Sequence, residues 1–385
     1  MISSMKFKGR LAVQQRVLPN YRAPFFELLA QSCESMSLFA GAPRPSEGIT
    51  PIYDLRFTNF VPAKNLHLLN GPLYFCYQRG FTNWLADFNP DALIVEANPR
   101  YLATPSAVRW MHARGRQVIG WGLGAPPRPP SGSPHLRSKW GECPEGARGV
   151  FLRQFDALIA YSQRGADEYA SLGFPREKIF VAHNAVAPRP SSAPTSRPST
   201  FDLRPAIIFV GRLQARKRVD WLIRACAQIE SKPRLIIVGD GEERAALESL
   251  TREIYPAAEF VGAKHGAELT PWFAQADLFV LPGTGGLAVQ EAMAHGLPVI
   301  VAKGDGTQDD LVRAGNGWQI PPEDFSALVA AIKTALMDSA RLRRMGEESF
   351  RIVREEINIE KMTEVFVRAL NETSAHQPKS LPVSS

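Results

Sequence analysis

The sequence predicts an α/β protein of two successive doubly wound, Rossmann-like domains, and three observations lead there. Short apolar runs alternate with helical patterns along most of the chain, as parallel strands covered by helices require. A Pro- and Ser-rich stretch at residues 188–205 interrupts that alternation once. The length, 385 residues, exceeds what one hydrophobic core ordinarily supports. The expected organisation is a first domain over 1–187, a linker over 188–205, a second domain over 206–350, and a terminal helix and tail over 351–385 that pack back on the first domain.

In the first domain, residues 11–18 (LAVQQRVL) alternate enough for a strand, a loop follows at Pro19 to Arg22, and Pro24 opens a helix to about Gln31. Further strands are expected at 37–39, 66–69, 92–95, 117–120, 157–161 and 179–181, with helices near 82–87, 103–114 and 164–172. Gly122 to Gly149 is dense in Pro, Gly, Ser and basic residues, and a loop of that length in a compact domain is more often functional or mobile than inert. Asn20, Tyr21 and Arg22 lie at the mouth of the first strand, and Gly122 and Gly124 follow a later one. His112 in a helix pattern and His135 in the long loop read as structural.

The second series places strands at 206–210, 234–238 and 259–261 and helices at 219–229 and 242–254. It culminates in Leu278 to Val301 (LFVLPGTGGLAVQEAMAHGLPVIV), the most informative stretch of the chain. A buried strand at 278–281 is stopped by Pro282 and the glycines Gly283, Gly285 and Gly286. A helix then begins near Leu287, and a second buried strand follows at 298–301. Glycines allow backbone N–H groups to approach a ligand closely, and the helix start carries partial positive charge, so the loop suits a phosphate. Glu291, one turn into that helix, can accept hydrogen bonds from a hydroxyl pair such as that of a ribose. After Pro321-Pro322 the pattern is amphipathic and helical to about Asn371.

Residues Glu291 to Ile300 (EAMAHGLPVI) resemble the signature of the family 4 retaining glycosyltransferases of the GT-B fold. Gly211-Arg212-Leu213 with Lys217 is similar to that family's G-R-L-x-x-x-K, in which arginine and lysine contact the donor diphosphate. Val238 to Gly241 and Phe260 to Gly262 resemble its strand-end glycine turns, and His183 to Val186 its N-G-V segment. The resemblance implies two Rossmann-like domains facing each other across a cleft. It makes Arg212 and Lys217 the catalytic phosphate clamp, Gly211, Gly239, Gly262, Gly283, Gly285, Gly286, Leu287 and Glu291 the donor-binding set, and the first-domain loop residues Asn20, Tyr21, Arg22, Gly122 and Gly124 the acceptor side. One position departs: where the family's Glu-x7-Glu places its first glutamate, eight residues before Glu291, this chain has Gly283.

The implied reaction moves a sugar from a nucleotide-diphosphate donor, UDP- or GDP-linked, to a saccharide or lipid-linked acceptor in cell-surface polysaccharide assembly. No cofactor beyond that co-substrate and no metal is expected, since the chain has no Asp-x-Asp pair. A catalytically silent sugar-nucleotide-binding protein is the alternative that Gly283 raises. The four cysteines form no Cys-x-x-Cys pair, and no apolar run approaches the ~20 residues of a membrane span, so a cytoplasmic protein is expected. Residues 1–190 carry 22 Lys and Arg against 13 Asp and Glu, which suits an anionic partner, whether a membrane surface met peripherally, a lipid-diphosphate acceptor or nucleic acid. Nucleic acid is not expected as a partner, because aromatic residues are not interleaved with the basic ones. A dinucleotide oxidoreductase would need a G-x-G-x-x-G after the first strand, which is missing.

Overall fold

The computed structural model describes residues 6–47, 49–125, 145–192, 204–304 and 306–375. The chain forms two compact units, one of the described residues up to Asn184 together with those from Ile359 onward, the other spanning Ala185–Asn358. Each is a predominantly parallel sheet flanked by helices.

The first unit contains β1 (Phe7–Val17), α1 (Ala23–Gln31), β2 (Cys33–Gly41), β3 (Asn59–Leu68), β4 (Phe75–Arg79), α2 (Phe81–Phe88), β5 (Ala92–Glu96) and α3 (Thr104–His112). It continues with β6 (Gln117–Gly122), α4 (Glu145–Leu152), β7 (Ala157–Ala160), α5 (Gln163–Ser171) and β8 (Ile179–Val181). The sheet order is β4-β3-β2-β1-β5-β6-β7-β8. Leu11, Ala12 and Val13 are fully buried in the middle of that sheet, as a strand covered on both faces demands. Helix α5 starts where Ser162 caps it, its hydroxyl accepting the Gly165 N–H at 3.0 Å.

The second unit contains β9 (Ala206–Val210), α6 (Val219–Ala227), β10 (Arg234–Val238), α7 (Arg244–Ile254), β11 (Ala258–Gly262), α8 (Thr270–Phe273), β12 (Leu278–Leu281) and α9 (Ala288–Ala294). Then come β13 (Val299–Ala302), α10 (Thr307–Leu311), β14 (Gly317–Ile320), α11 (Phe325–Leu336) and α12 (Ser339–Glu355); α13 (Ile359–Ala375) returns to the first unit. The order β11-β10-β9-β12-β13-β14 is parallel throughout, with Phe279 paired to Ile208 on one side and Val299 on the other.

Three expectations are corrected. The first sheet is not wholly parallel, because β4 pairs antiparallel with β3 at its edge; β4 is five residues long and went unread, and β3 runs from Asn59 rather than residue 66. Strand β14, four residues long at the edge of the second sheet, was missed. The division between units falls after Asn184 and after Asn358, not at 187 and 350. The chain is already docked on the second unit at Val186 and Ala187, whose N–H groups donate to the Gln290 side chain at 2.6 and 2.9 Å. Helix α12, including residues 351–355, packs on α9 in that same unit, and Gly346 permits the contact because a Cβ there would overlap the Gly296 carbonyl oxygen. The helix that does pack on the first unit is α13. Phe366 lies 4.9 Å from both Phe25 and Trp121, and Gln117 Nε2 donates to the Leu370 carbonyl at 3.0 Å. Most of the expected linker (193–203), most of the long loop with His135 (126–144), and the tail from 376 lie outside the described residues.

Candidate functional site

The order of the second sheet reverses between β9 and β12, so the loops leaving these two strands run in opposite directions and open a crevice at their carboxyl ends. After β9 come Gly211, Arg212 and a single 3-10 turn, Ala215–Lys217. After β12 come Pro282 and Gly283 to Leu287, leading into α9.

The two loops are built as one piece. Thr284 donates its N–H to the Arg216 carbonyl at 3.0 Å, and the Lys217 ammonium donates to the carbonyls of Thr284 and Gly285 at 2.9 and 3.1 Å. Gly283 is the point of closest approach: a Cβ there would overlap the Arg216 carbonyl oxygen and lie 2.5 Å from Lys217 Cα. Gly285 holds a left-handed φ of +70°, and a Cβ on it would lie 3.6 Å from Arg216 Nη1 and 3.7 Å from Lys217 Nζ, so two cationic groups face this glycine. Among the described residues, the N–H groups of Gly285, Gly286 and Leu287 donate to no protein acceptor. Backbone donors and cations so arranged offer an anion several oxygen contacts at once.

Burial, with the neighbouring Arg216 charge, holds the Lys217 ammonium down to a pKa of about 8. Keeping it charged in this site costs on the order of 3 kcal/mol, which a bound anion would offset. Arg212 is exposed, two residues past the end of β9. Glu291 lies in the first turn of α9, half-buried, and burial raises its carboxyl above the ordinary carboxylate range, opposed by the His265 charge. No hydrogen bond reaches its carboxylate from the described residues. A ligand hydroxyl pair would supply what that carboxylate lacks.

Gly211 and Gly239 have a structural explanation of their own. Gly211 N–H donates to the Val238 carbonyl at 3.0 Å, Gly239 N–H to the Gly262 carbonyl at 2.8 Å, and a Cβ on Gly239 would overlap the Gly211 carbonyl oxygen. These glycines, with Gly262, set the close spacing of the strand ends that carry Arg212. Sequence reasoning gave Arg216 no role, although it adjoins Lys217. It also missed Gln290, which is 1% exposed and fixes α9 by accepting from Val186 and Ala187 and donating to the Ile357 carbonyl at 2.7 Å. Nothing in a lone Gln before Glu291 signals that.

In the first unit the expected acceptor-side residues do not converge. Asn20 and Tyr21 are exposed after β1, but Arg22 is 6% exposed, with its guanidinium within 5.5 Å of the Trp121 and Tyr161 ring centroids and hydrogen-bonded to the Asn184 side chain. Gly122 and Gly124 are packing positions, since a Cβ on Gly124 would overlap Glu168 Oε2 and lie 2.6 Å from Gly165 Cα, and one on Gly122 would lie 2.5 Å from the Tyr169 hydroxyl. His112 pairs with Asp156 at 3.1 Å.

The carboxyl edge instead carries a side-chain network. Gln14 donates to Gln78, which donates to Asn65 Oδ1 at 2.9 Å and to the Gln15 carbonyl at 3.0 Å; Asn65 donates to the Arg16 carbonyl at 2.8 Å. Arg16 pairs with Glu47 at 3.0 Å, and although burial opposes it, Arg16 and Arg44 hold the Glu47 carboxyl below its usual range.

The family model described as Glycosyl transferases group 1 matches residues 204–338. Over 179 residues the chain is 35% identical to a GDP-mannose-dependent alpha-mannosyltransferase of Mycobacterium tuberculosis, covering 45% of this chain and 46% of the relative. The chain thus spans less than half the length of the curated relatives it first matches. Over nearly the whole chain it is similar to the crystal structure of Anabaena HepE in complex with UDP (TM-score 0.68, 16% identity, 96% of this chain and 100% of that one). It is equally similar to sucrose-phosphate synthase from Thermosynechococcus elongatus (TM-score 0.69, 19% identity, 96% and 100%). Residues 204–338 thus match the Glycosyl transferases group 1 model, in a chain that has the GT-B fold.

Proposed function

We propose that the chain is a retaining glycosyltransferase that moves a hexosyl group from a UDP- or GDP-linked donor to a saccharide or lipid-linked acceptor in cell-surface polysaccharide assembly. The observation that carries this reading is the buried Lys217 ammonium at a glycine loop with three unpartnered N–H groups, one helical turn from the unpartnered Glu291 carboxylate. The first group suits a diphosphate and the second a ribose. The domain match and the mannosyltransferase relative support the same assignment.

In this reaction the acceptor hydroxyl oxygen bonds to the anomeric carbon on the face from which the phosphate departs. The bond from that carbon to the β-phosphate oxygen breaks, and the hydroxyl proton passes to that departing oxygen, leaving glycoside and nucleoside diphosphate. Arg212 and Lys217, with Arg216 beside them, act on the charge that grows on the leaving group, so neither a divalent metal nor a protein base is needed. The first unit holds the acceptor at its carboxyl edge.

The alternative, a silent sugar-nucleotide binder, rests on Gly283. Its contact with Arg216 and Lys217 gives the glycine a constructive role, because any side chain would part the two loops, and this favours the active enzyme. The test is turnover of UDP- and GDP-sugars with saccharide and lipid-linked acceptors, with and without EDTA. Transfer that retains anomeric configuration and survives EDTA is expected. Binding without transfer or hydrolysis for every donor would establish the silent alternative, and strict metal dependence would overturn the metal-free mechanism.

A further inference from the structure

Among the described residues eleven large hydrophobic side chains stand exposed, and five of them, Leu66, Leu68, Leu69, Leu73 and Tyr77, belong to the β3–β4 hairpin. Strand β2 pairs with β3 as far as Ala63, so residues 64–68 run on past the carboxyl edge of the sheet with β4 as their partner. The hairpin alternates cleanly. Asn65, His67, Cys76 and Gln78 face inward, and Gln78 and Asn65 belong to the polar network described above. The outward pairs are Lys64 with Arg79, Leu66 with Tyr77, and Leu68 with Phe75. A solvated hairpin face is ordinarily polar and its turn rich in Gly, Asn or Asp. The turn itself, Asn70-Gly71-Pro72, has the usual residues, but Leu69 and Leu73 flank it at 63% and 62% exposure, and Leu69 holds a left-handed φ of +59°, a conformation that disfavours a bulky residue. A strained, exposed leucine marks a position kept for something other than stability.

Read from tip to root, the outward face runs leucine, leucine with phenylalanine, leucine with tyrosine, then lysine with arginine. Two residues of strand separate Leu66 from Lys64, roughly 7 Å, comparable with the polar layer on one side of a bilayer. Apolar tip, aromatic belt and cationic root follow the depth profile of a membrane interface. We propose that the tip and outward face of the β3–β4 hairpin dock this chain on a lipid bilayer bearing anionic headgroups. Leu69 and Leu73 enter the acyl boundary, and Lys64 and Arg79 meet the headgroups. A bilayer fits better than a protein partner, because the apolar residues sit on a protruding turn and are backed by cations, in a region whose excess of Lys and Arg attracts acidic lipid. This goes beyond the transfer reading and can be tested without turnover. If both hold, the hairpin brings the first unit's carboxyl edge to a lipid-linked acceptor.

The full chain is sedimented with phosphatidylcholine vesicles, with and without about 30% phosphatidylglycerol, at about 0.15 M salt. The parent protein is expected to sediment with the anionic vesicles, Leu69→Asp/Leu73→Asp to bind at least tenfold more weakly, and Lys64→Glu/Arg79→Glu several-fold more weakly. Leu69→Asn/Leu73→Ser guards against misfolding, since Asn suits the left-handed turn: its melting temperature should equal or exceed the parent's while vesicle binding is lost. No sedimentation of the parent, or binding unchanged in the leucine variants, would overturn the proposal. So would a parent dimer that these variants dissociate, because the face would then serve a second copy of the chain.

Discussion

The two carboxyl edges of this molecule are built by opposite means. In the second unit the edge is made of backbone, with glycines at strand ends, carbonyls that hold Lys217, and donors left open between Gly285 and Leu287. In the first unit it is made of long side chains, with Gln14, Arg16, Glu47, Asn65 and Gln78 bonded to one another across the sheet. A backbone-built edge can present the same donors to any nucleoside diphosphate, because a phosphate needs N–H groups and positive charge but no particular outline. A side-chain edge can be recast by substitution without disturbing the strands beneath it. On the transfer reading proposed above, the backbone edge would serve the donor diphosphate and the side-chain edge the acceptor.

The sharpest way to break the contrast is to give the backbone edge a side chain. Gly283→Glu should reduce turnover to background, because its Cβ alone overlaps Arg216 and its carboxylate would be buried beside loop carbonyls. Glycosyl transfer measured in parent and variant decides it, and a gain of activity would mean that the missing glutamate is the lesion of a silent protein. Next in size are Arg212→Ala and Lys217→Ala, each expected to lower kcat by ~10²-fold through loss of a contact that strengthens as the leaving group departs. Rates within a few-fold of the parent would remove that residue from the clamp.

Gln290→Leu should cost about 2–3 kcal/mol of stability by stranding the Val186 and Ala187 N–H groups and the Ile357 carbonyl, read as a lowered denaturant midpoint. Smallest is Glu291→Ala, expected to raise donor KM about tenfold with little change in kcat, since a ribose contact far from the reacting carbon is nearly uniform between ground and transition states. A normal KM would place the ribose elsewhere.

How much of this was legible in the sequence follows the same contrast. The second unit's site is carried by two short segments, Gly211 to Lys217 and Gly283 to Glu291, each a strand end running into a helix start, so spacing alone reveals most of it. What spacing could not reveal is that Gly283 is needed by the neighbouring loop, because that contact joins residues 67 positions apart. The first unit's network draws on residues 14, 16, 47, 65 and 78, and no window of the sequence contains it. Arg22 shows the converse error: a charged residue at the mouth of a strand looks like a ligand contact, yet here Trp121 and Tyr161 enclose it. The strands β4 (FCYQR) and β14 (GWQI) escaped for a simpler reason: each is an edge strand of mixed polarity, whereas the equally short β7, β12 and β13 are apolar throughout and stand out as buried runs.

The central claim, that a diphosphate sits against Lys217 in the loop pair, can be measured through its proton. Burial makes Lys217 lose its proton above a pH of about 8, and below that pH the folded chain carries the cost of a buried charge, which is relieved as pH rises towards the ordinary lysine value. A bound diphosphate favours the ammonium again, so binding near pH 8 should take up a fraction of a proton, and affinity should fall as pH rises beyond it. Calorimetry of UDP and GDP binding to the full chain, near pH 8 and in two buffers of different ionisation enthalpy, reads that uptake directly. The account predicts uptake in the parent and none in Lys217→Ala, with weaker binding in the variant. No binding of either nucleotide, or binding with the same affinity and proton count in both proteins, would contradict it.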